Sequence, residues 1–325
     1  EELLTFLMGT DASLTSLKAK VLERTEGTPF FIEEVVQTLV EEGVLLGQSG
    51  AYRLERVISE VHISPTVQGV LAARIDRLDA EEKAVLQQLA VIGREFPLGL
   101  LREVVSNSED DLHRLLSSLQ AKEFLYEQPA FPEVEYLFKH ALTQEVAYGT
   151  VLNEARQQLH ERTAQALEAR YSDSLEDHYA ALAHHYSQTK NTPKAVTFLH
   201  LAGAQSAERA AYPEAEQALT QALHLLLTLP ETDERANQEL LLQSTLGAVY
   251  IVTKGYAEPE VANCYSRARE LCGTLKRTAE LIPVLVGLWL FHFLRADYES
   301  ARQLAAEALA LAQSTGKSGD LVSAY

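Results

Sequence analysis

Two stretches in the second half of the chain, AAYPEAEQALTQALHLL (210–226) and ADYESARQLAAEALALA (296–312), share one pattern. Each has a tyrosine, small residues three and ten positions later, and a leucine eleven positions later. The matching pairs are Tyr212 and Tyr298, Ala215 and Ala301, Ala222 and Ala308, and Leu223 and Leu309. At helical periodicity these positions line one face. The pattern predicts two equivalent amphipathic helices.

A third copy lies between them, because Leu246-Gly247 and Tyr250 are followed by Tyr256, and the tyrosine-to-tyrosine steps are 44 and 42 residues. The order L-G-x2-Y resembles the tetratricopeptide repeat (TPR), in which small residues let two helices approach closely. The resemblance implies a stack of helix pairs whose groove binds a protein or peptide. Pro259 stands at the small-residue position of the middle copy, so we expect that helix to start a turn late. The aromatic residues of the repeat are expected to pack in the core.

The composition limits what the chain can bind. Its 325 residues include 46% hydrophobic residues and carry a net charge of −18 that is spread evenly. This length supports more than one domain. No segment has the basic stripe that a phosphate backbone attracts, so nucleic acid and acidic membranes are poor partners. The longest apolar run, residues 281–294, is too short to cross a bilayer and predicts a buried helix.

Cysteine usage and the chain start favour a cytoplasmic location. Cys264 and Cys272 lie eight residues apart on one predicted helix, about 12 Å along its axis, which is too far for a disulfide. A chain with few thiols and no bridge suits a reducing cytosol. The first residues have no basic stretch that would indicate a signal peptide. We expect the chain to be part of a longer protein.

The middle of the chain predicts a winged-helix domain. Helices are predicted over residues 66–77, 80–92 and, after Pro97, a third shorter one. Residues 108–120 predict a fourth helix, with Ser108 as N-cap. Two short β-prone runs then flank a proline-containing turn, which indicates a hairpin. The helix over 108–120 carries three acids against Arg114, so a protein-packing role is favoured over DNA binding.

Three segments in fixed order resemble one known family. They are RTEGTPFFIEEVVQTLVEEGVL (24–45), ISPTVQGVLAARIDRLDAEEKAVLQQLAVIGREFPLGLL (63–101) and YLFKHALTQEVAYGTVLNEARQQLHERTAQALE (136–168). Together they resemble the C-terminal parts of STAND-type regulatory ATPases. The nearest group is that of large bacterial proteins which join a class III adenylate or guanylate cyclase, or a protein kinase, to an AAA-like ATPase and a TPR array.

The resemblance implies that three residues, Gly27, Pro29 and His140, belong to a nucleotide site. Gly27, Thr28 and Pro29 match the Gly-x-Pro that opens the helical lid of the ATPase, with Pro29 near the adenine of ATP or ADP. His140, within Phe-Lys-His-Ala-Leu, matches a histidine that touches the β-phosphate of ADP and holds the off state. Ala141 stands where related proteins usually have aspartate. From the residues alone, Thr28 and Pro29 also fit an ordinary helix start, and His140 a capping or packing role.

Catalytic and metal-binding patterns are missing from the sequence. There is no G-x4-G-K-[ST] phosphate loop, so no catalytic residue and no tightly bound cofactor are predicted, and ATP or ADP would bind only in an intact parent. His178, His184 and His185 are interpreted as helix-surface histidines, and no metal site is predicted. The acid pairs Glu33/Glu34 and Asp76/Asp79 are interpreted as solvated.

The sequence therefore predicts a mainly α fold in four parts. They are a helical lid (1–60), a winged helix with a small hairpin (61–150), a helical connector (151–190) and a TPR-like α-solenoid (191–325). The favoured hypothesis is a non-catalytic regulatory and protein-interaction region that packs on an upstream nucleotide-binding domain and controls a cyclase or kinase output. Two alternatives stay open: the sensor of a LuxR-type transcription activator, with a basic DNA-binding domain after Tyr325, and a free-standing TPR scaffold. An autonomous enzyme has the least support.

Overall fold

The computed structural model describes residues 1–55, 63–131 and 133–315, and the chain forms two compact units, Glu1–Leu159 and His160–Tyr325. Both units are mainly helical, as the sequence predicts. The predicted domain boundary after residue 60 falls outside the described residues. The predicted boundaries after residues 150 and 190 stay predictions.

The first unit combines short helices with two small sheets. Its helices are α1 (Glu2–Met8), α2 (Thr15–Thr25), α3 (Pro29–Glu41), α4 (Val67–Asp76), α5 (Ala80–Ile92), α6 (Leu98–Val104), α7 (Glu109–Ala121) and α8 (Ala141–Gly149). Its strands are β1 (Leu45–Gln48), β2 (Ala51–Leu54), β3 (Glu95–Pro97), β4 (Leu125–Gln128) and β5 (Glu135–Phe138). A further helix, α9 (Asn153–Arg170), begins in this unit.

The predicted lid contains a hairpin as well as helices. Strands β1 and β2 pair antiparallel, with Leu45 opposite Leu54. The turn between them contains Gly50, whose φ angle of 78° suits glycine, and Gly47 within β1 has a φ angle of 131°. The helical-lid prediction for residues 1–60 did not include this hairpin.

The segment after residue 62 follows the predicted order closely. Thr66 and Ser108 cap α4 and α7 with their side chains, and Asp79 and Glu82 form a reciprocal capping box on α5. Strands β4 and β5 form the predicted hairpin, and its Pro132 lies outside the described residues. The sequence missed β3, which pairs with β5 and completes a sheet in the order β3-β5-β4. This order fits a winged helix, an assignment that stays a prediction.

The second unit is a succession of antiparallel helix pairs. Its helices are α9 from His160 onward, α10 (Tyr179–Ser187), α11 (Thr192–Glu208), α12 (Tyr212–Leu226), α13 (Asp233–Thr253), α14 (Pro259–Leu275), α15 (Thr278–Leu294) and α16 (Tyr298–Thr315). Each helix from α10 to α15 packs on the next one in the chain. The predicted TPR-like stacking of three pairs is confirmed.

The middle pair departs from the register that its tyrosine suggests. Helix α14 begins at Pro259, three residues after Tyr256, so the late start is confirmed. The second helix of each pair has two buried residues that are seven positions apart. In α12 and α16 the first of them follows the repeat tyrosine by three positions, whereas in α14 it follows Tyr256 by five. These pairs are Ala215 and Ala222, Val261 and Ala268, and Ala301 and Ala308.

Close helix approach in this unit depends on glycines of the first helices. A Cβ placed on Gly203 would lie 2.7 Å from Leu219, and one on Gly287 would lie 2.8 Å from the Tyr265 ring. Tyr256 and Tyr298 are 41% and 63% exposed, so the expectation that the repeat aromatics are core residues is wrong for them. Tyr256 lies in the connection between α13 and α14, and Tyr298 is the first residue of α16, whereas Tyr265 is buried.

The apolar segment 281–294 is a helix that is buried over only part of its length. In α15, Leu285 is fully buried, but Phe293 and Leu294 are 45% and 52% exposed. The prediction of a buried helix is therefore wrong for its C-terminal end. Within the described ranges, no helix has both the length and the apolar character needed to cross a membrane.

Candidate functional site

The Gly-Thr-Pro turn lies between α2 and α3 in the first unit. Glu26 and Gly27 both adopt positive φ angles, 50° and 77°, which reverse the chain after α2. Thr28 is the N-cap residue of α3 and Pro29 occupies its first turn, as predicted, although the Thr28 side chain makes no cap hydrogen bond. Gly27, Thr28 and Pro29 are all exposed. The flat face of Pro29 is therefore available to a ligand or a partner.

His140 lies where the sequence places it, between strand β5 and helix α8. It is the N-cap residue of α8 in an extended conformation, and its carbonyl accepts a hydrogen bond from the Thr143 N–H at 3.1 Å. The His140 side chain makes no capping hydrogen bond. His140 therefore occupies the N-cap position of α8 through its backbone, while its side chain takes no part in capping.

The fold brings the two motifs together, although they are more than one hundred residues apart in the chain. The ring of Phe30, directly after Pro29, lies 4.1 Å from the His140 ring between centroids, tilted by 47°. His140 Nε2 is buried, and no group in the described part of the chain lies within hydrogen-bonding distance of it. A polar ring atom left without a partner in this way is uncommon and costs stability. The sequence named Pro29 and His140 but missed Phe30, which is the residue that connects them.

Burial and charge keep the His140 imidazole neutral. Burial lowers the pKa of His140, and the neighbouring Lys139 ammonium lowers it further. Lys139 is itself bound to Glu123, with a distance of 2.5 Å from Nζ to Oε2. A neutral imidazole can still donate one N–H to an anion. Because Nε2 is buried in this conformation, such a contact requires the side chains around it to rearrange.

A buried ion-pair network holds α3 next to this site. The Arg74 side chain on α4 is almost fully buried and binds Glu34 of α3, which is 2% exposed. Arg74 also donates to Glu41 Oε1 at 2.7 Å and to the Lys122 carbonyl at 2.7 Å. Its guanidinium lies 4.7 Å from the centre of the Phe124 ring. One arginine thus joins the lid helix to α4 and to the segment before β4.

This network corrects the interpretation of the acid pairs. Burial raises the pKa of Glu34, and Arg74 offsets that effect only in part. Glu34 is thus a buried partner of Arg74 and not a solvated acid. Asp79 also has a structural role, as the N-cap residue of α5, while Asp76 binds Lys83 at 2.6 Å on the surface. The signal for Arg74 was its position on the apolar face of α4, between Leu71 and Ile75.

The patch around Phe30 and His140 offers groups that are suited to binding. Its groups are an imidazole, an aromatic ring, an exposed proline face and a lysine already paired with a carboxylate. Catalysis by general acid and base needs two titratable groups that both reach the reacting atoms. Among the residues that the structure describes here, Glu34 and Lys139 are each engaged in an ion pair. The arrangement can recognise an anion or a flat ring.

The histidines and cysteines of the second unit differ from expectation in one respect. His185 is 4% exposed, so its interpretation as a helix-surface histidine is wrong, whereas His184 is exposed as predicted. His178 stacks on Tyr171 with 3.7 Å between ring centroids. Cys264 and Cys272 both lie on α14 and are buried free thiols, as their spacing predicts.

Two clefts open on the helix pairs of the second unit. The larger, of about 930 Å³, lies between α14, α15 and α16. It is polar, and an Arg269–Glu307 ion pair of 2.5 Å crosses it. The smaller, of about 280 Å³, is lined by residues of α10, α11 and α12 and includes His184. Clefts between repeats are the surfaces on which solenoid proteins bind partners.

Comparison with known proteins gives limited information. No family model matches the chain, and no curated protein matches it. Among solved structures, the chain is similar to the STAND protein with a tetratricopeptide repeat sensor from Pyrococcus horikoshii, at 12% identity and a TM-score of 0.34. The match covers 96% of this chain and 53% of the other, so the chain spans about half the length of that protein. These values are too low to carry functional residues from one protein to the other.

Proposed function

We propose that the chain is a non-catalytic regulatory region of a larger cytoplasmic signalling ATPase of the STAND type. Residues 1–159 would form one wall of a nucleotide site, and the helix pairs of the second unit would bind a protein or peptide. The observation that carries the proposal is the Phe30–His140 contact. It places the Gly-Thr-Pro turn beside the histidine, as a shared nucleotide site requires.

The proposed switch uses the covered nitrogen of His140. In the conformation described here, His140 Nε2 is buried, has no hydrogen-bond partner among the described residues, and belongs to a ring that packs on Phe30. When ADP is held by an upstream phosphate-binding loop, Phe30 would move aside, Pro29 would contact the adenine, and His140 would donate its N–H to the β-phosphate. Release of ADP would restore the Phe30–His140 contact. A two-state change of this kind can be transmitted to a cyclase or kinase output.

Nucleotide binding tests this proposal. The chain alone is expected to show no ATPase or cyclase activity and to bind ADP only weakly in calorimetry, since it has no phosphate-binding loop. The parent protein, with its upstream domain, is expected to bind ADP tightly. Replacing His140 by alanine in the parent should weaken ADP binding by about tenfold, the effect of roughly 1.4 kcal/mol from one lost hydrogen bond to a charged group.

The matched control is His113→Ala, which removes an exposed histidine of the same unit and should leave ADP affinity unchanged. Tight ADP binding by the 325-residue chain alone would contradict the proposal. Equal ADP affinity in the parent and its His140→Ala variant would contradict the role of His140. A basic helix-turn-helix after Tyr325 would favour the transcription activator.

A further inference from the structure

Three histidines of the second unit converge on one point. His160 lies on α9, and His184 and His185 lie on α10. One ring nitrogen of each lies within 4.8 Å of one ring nitrogen of each of the others. Spacing along the chain suggested His178 as the third member of this group, whereas the fold brings in His160, which is fully buried.

The three rings lie at similar distances from one another. The distances between ring centroids are 5.6 Å for His160–His184, 5.1 Å for His160–His185 and 5.3 Å for His184–His185. The rings therefore form an almost equilateral triangle. Three imidazoles around a common centre are a ligand set for Zn²⁺ and related transition metals, with a fourth position left for water or another ligand.

We propose that His160, His184 and His185 form a binding site for a Zn²⁺-class transition-metal ion that joins α9 to α10. The proposal is separate from the function proposed above, because it concerns the second unit alone. The site would have three imidazole ligands and one exchangeable position. Imidazole nitrogens favour Zn²⁺, Cu²⁺ or Ni²⁺ over the oxygen-seeking ions Mg²⁺ and Ca²⁺.

Binding a metal requires the ring nitrogens to adjust their spacing. Zn–N bonds of about 2.0–2.1 Å place tetrahedral ligand nitrogens about 3.3 Å apart. His160 Nδ1 and His185 Nδ1 now lie 2.8 Å apart in a hydrogen bond and would separate by about half an ångström. If both Nδ1 atoms bind the ion, the ring that donates this hydrogen bond moves its proton to Nε2. The change is a tautomer shift, so no net proton is released.

The surroundings of His184 give the ion an access route. His184 is exposed and lines the cleft of about 280 Å³ between α10, α11 and α12. His160 and His185 are covered, at 0% and 4% exposure. A metal would therefore have two ligands in the interior and its third ligand and open position on the cleft. This geometry suits an ion that binds from solvent.

Titration of the metal-free chain with Zn²⁺ tests the site. The 325-residue chain, without an affinity tag and treated with a chelator, should bind one Zn²⁺ in calorimetry in the presence of excess Mg²⁺. It should also give a higher unfolding temperature with Zn²⁺ than without it. Co²⁺ should give the visible ligand-field bands of a four- or five-coordinate site with nitrogen ligands.

The deciding variant is His184→Ala, because His184 is exposed and its removal leaves the buried pair in place. It should weaken Zn²⁺ binding by at least about tenfold, the loss that even an outer-shell partner of a ligand causes. It should also remove the Co²⁺ bands. His224→Ala, which removes an exposed histidine of α12, should bind as the parent chain does. The absence of stoichiometric Zn²⁺ binding, or equal binding by the parent chain and His184→Ala, would overturn the proposal.

Discussion

At the scale of single residues, Arg74 has the largest consequence for the first unit. Its guanidinium is almost fully buried between two carboxylates, a carbonyl and the Phe124 ring. Removing one partner of a buried ion pair leaves an uncompensated charge, a larger effect than the net contribution of the intact pair. Arg74 therefore fixes the position of α3 and, with it, of Pro29 and Phe30.

We predict that Arg74→Met lowers the free energy of unfolding of the first unit by about 3–5 kcal/mol, because Glu34 is left buried without its cation. Denaturant unfolding followed by circular dichroism measures the loss, and hydrogen exchange of peptides from α3 and α4 localises it. Arg77→Met is the matched control. Arg77 lies one residue past the end of α4, and its side chain is 35% exposed, so its surface pairs should contribute about 1 kcal/mol or less.

A second variant separates charge burial from loss of packing. Arg74→Met combined with Glu34→Leu replaces that ion pair by apolar groups, which is often neutral or stabilising. The double variant should regain part of the stability lost in Arg74→Met. If the double variant is instead less stable than Arg74→Met, by as much as an independent second core substitution would cost, the ion-pair explanation is wrong.

At the scale of elements, the repeat is defined by where helices approach each other. Gly287 of α15 lies directly against the Tyr265 ring of α14, and a Cβ atom added at Gly287 would lie 2.8 Å from that ring. Gly247 of α13 meets the same ring at 3.1 Å. Tyr265 is therefore packed between the glycine faces of two helices. This contact sets the spacing of α13, α14 and α15.

We predict that Gly287→Ala destabilises the second unit by about 1–3 kcal/mol, the usual effect of overpacking, in spite of the better helix propensity of alanine. Gly273→Ala, on α14, is the matched control because no atom lies within 4 Å of its Cβ position. It should stabilise the unit by about 0.5–1 kcal/mol. Thermal unfolding followed by the fluorescence of Trp289 measures both, and a stabilising Gly287→Ala would contradict the close approach.

At the scale of the whole molecule, the reactivity of the two cysteines depends on how tightly the second unit is packed. Burial raises the pKa of the Cys264 thiol to about 11, and burial raises the pKa of Cys272 as well. Since only the thiolate reacts, a shift from 9.0 to about 11 lowers the thiolate fraction of Cys264 about 100-fold at neutral pH. Steric cover lowers its reactivity further.

We therefore predict that Cys264 of the native chain reacts with a disulfide reagent at least about 100-fold more slowly than in the unfolded chain, and that the reaction of Cys272 is also slowed. The reaction should require opening of the second unit, so denaturant should speed it up in parallel with unfolding. Single Cys264→Ser and Cys272→Ser variants assign each phase. Fast reaction of either thiol in the absence of denaturant would show that α14 is more open than its packing indicates.

The sequence by itself determined what depends on local spacing. Helical periodicity and capping residues such as Thr66, Asp79 and Ser108 define where helices begin, because a helix places residues three and four apart on one face and leaves its first N–H groups to a cap. The repeated tyrosine and alanine spacing likewise indicates the stacked pairs. The acidic charge, the absence of a phosphate-binding loop and the positions of Pro29 and His140 follow from the sequence in the same way.

The tertiary structure decided which side chains meet. The Phe30–His140 contact, the burial of Arg74 and the choice of His160 over His178 each join residues from separate elements. No spacing rule reports such pairs, since they depend on how elements pack and not on the periodicity within one element. The two-residue shift in α14 has the same origin: Pro259 delays the helix, and packing against Gly247 and Gly287 then selects which of its residues face inward.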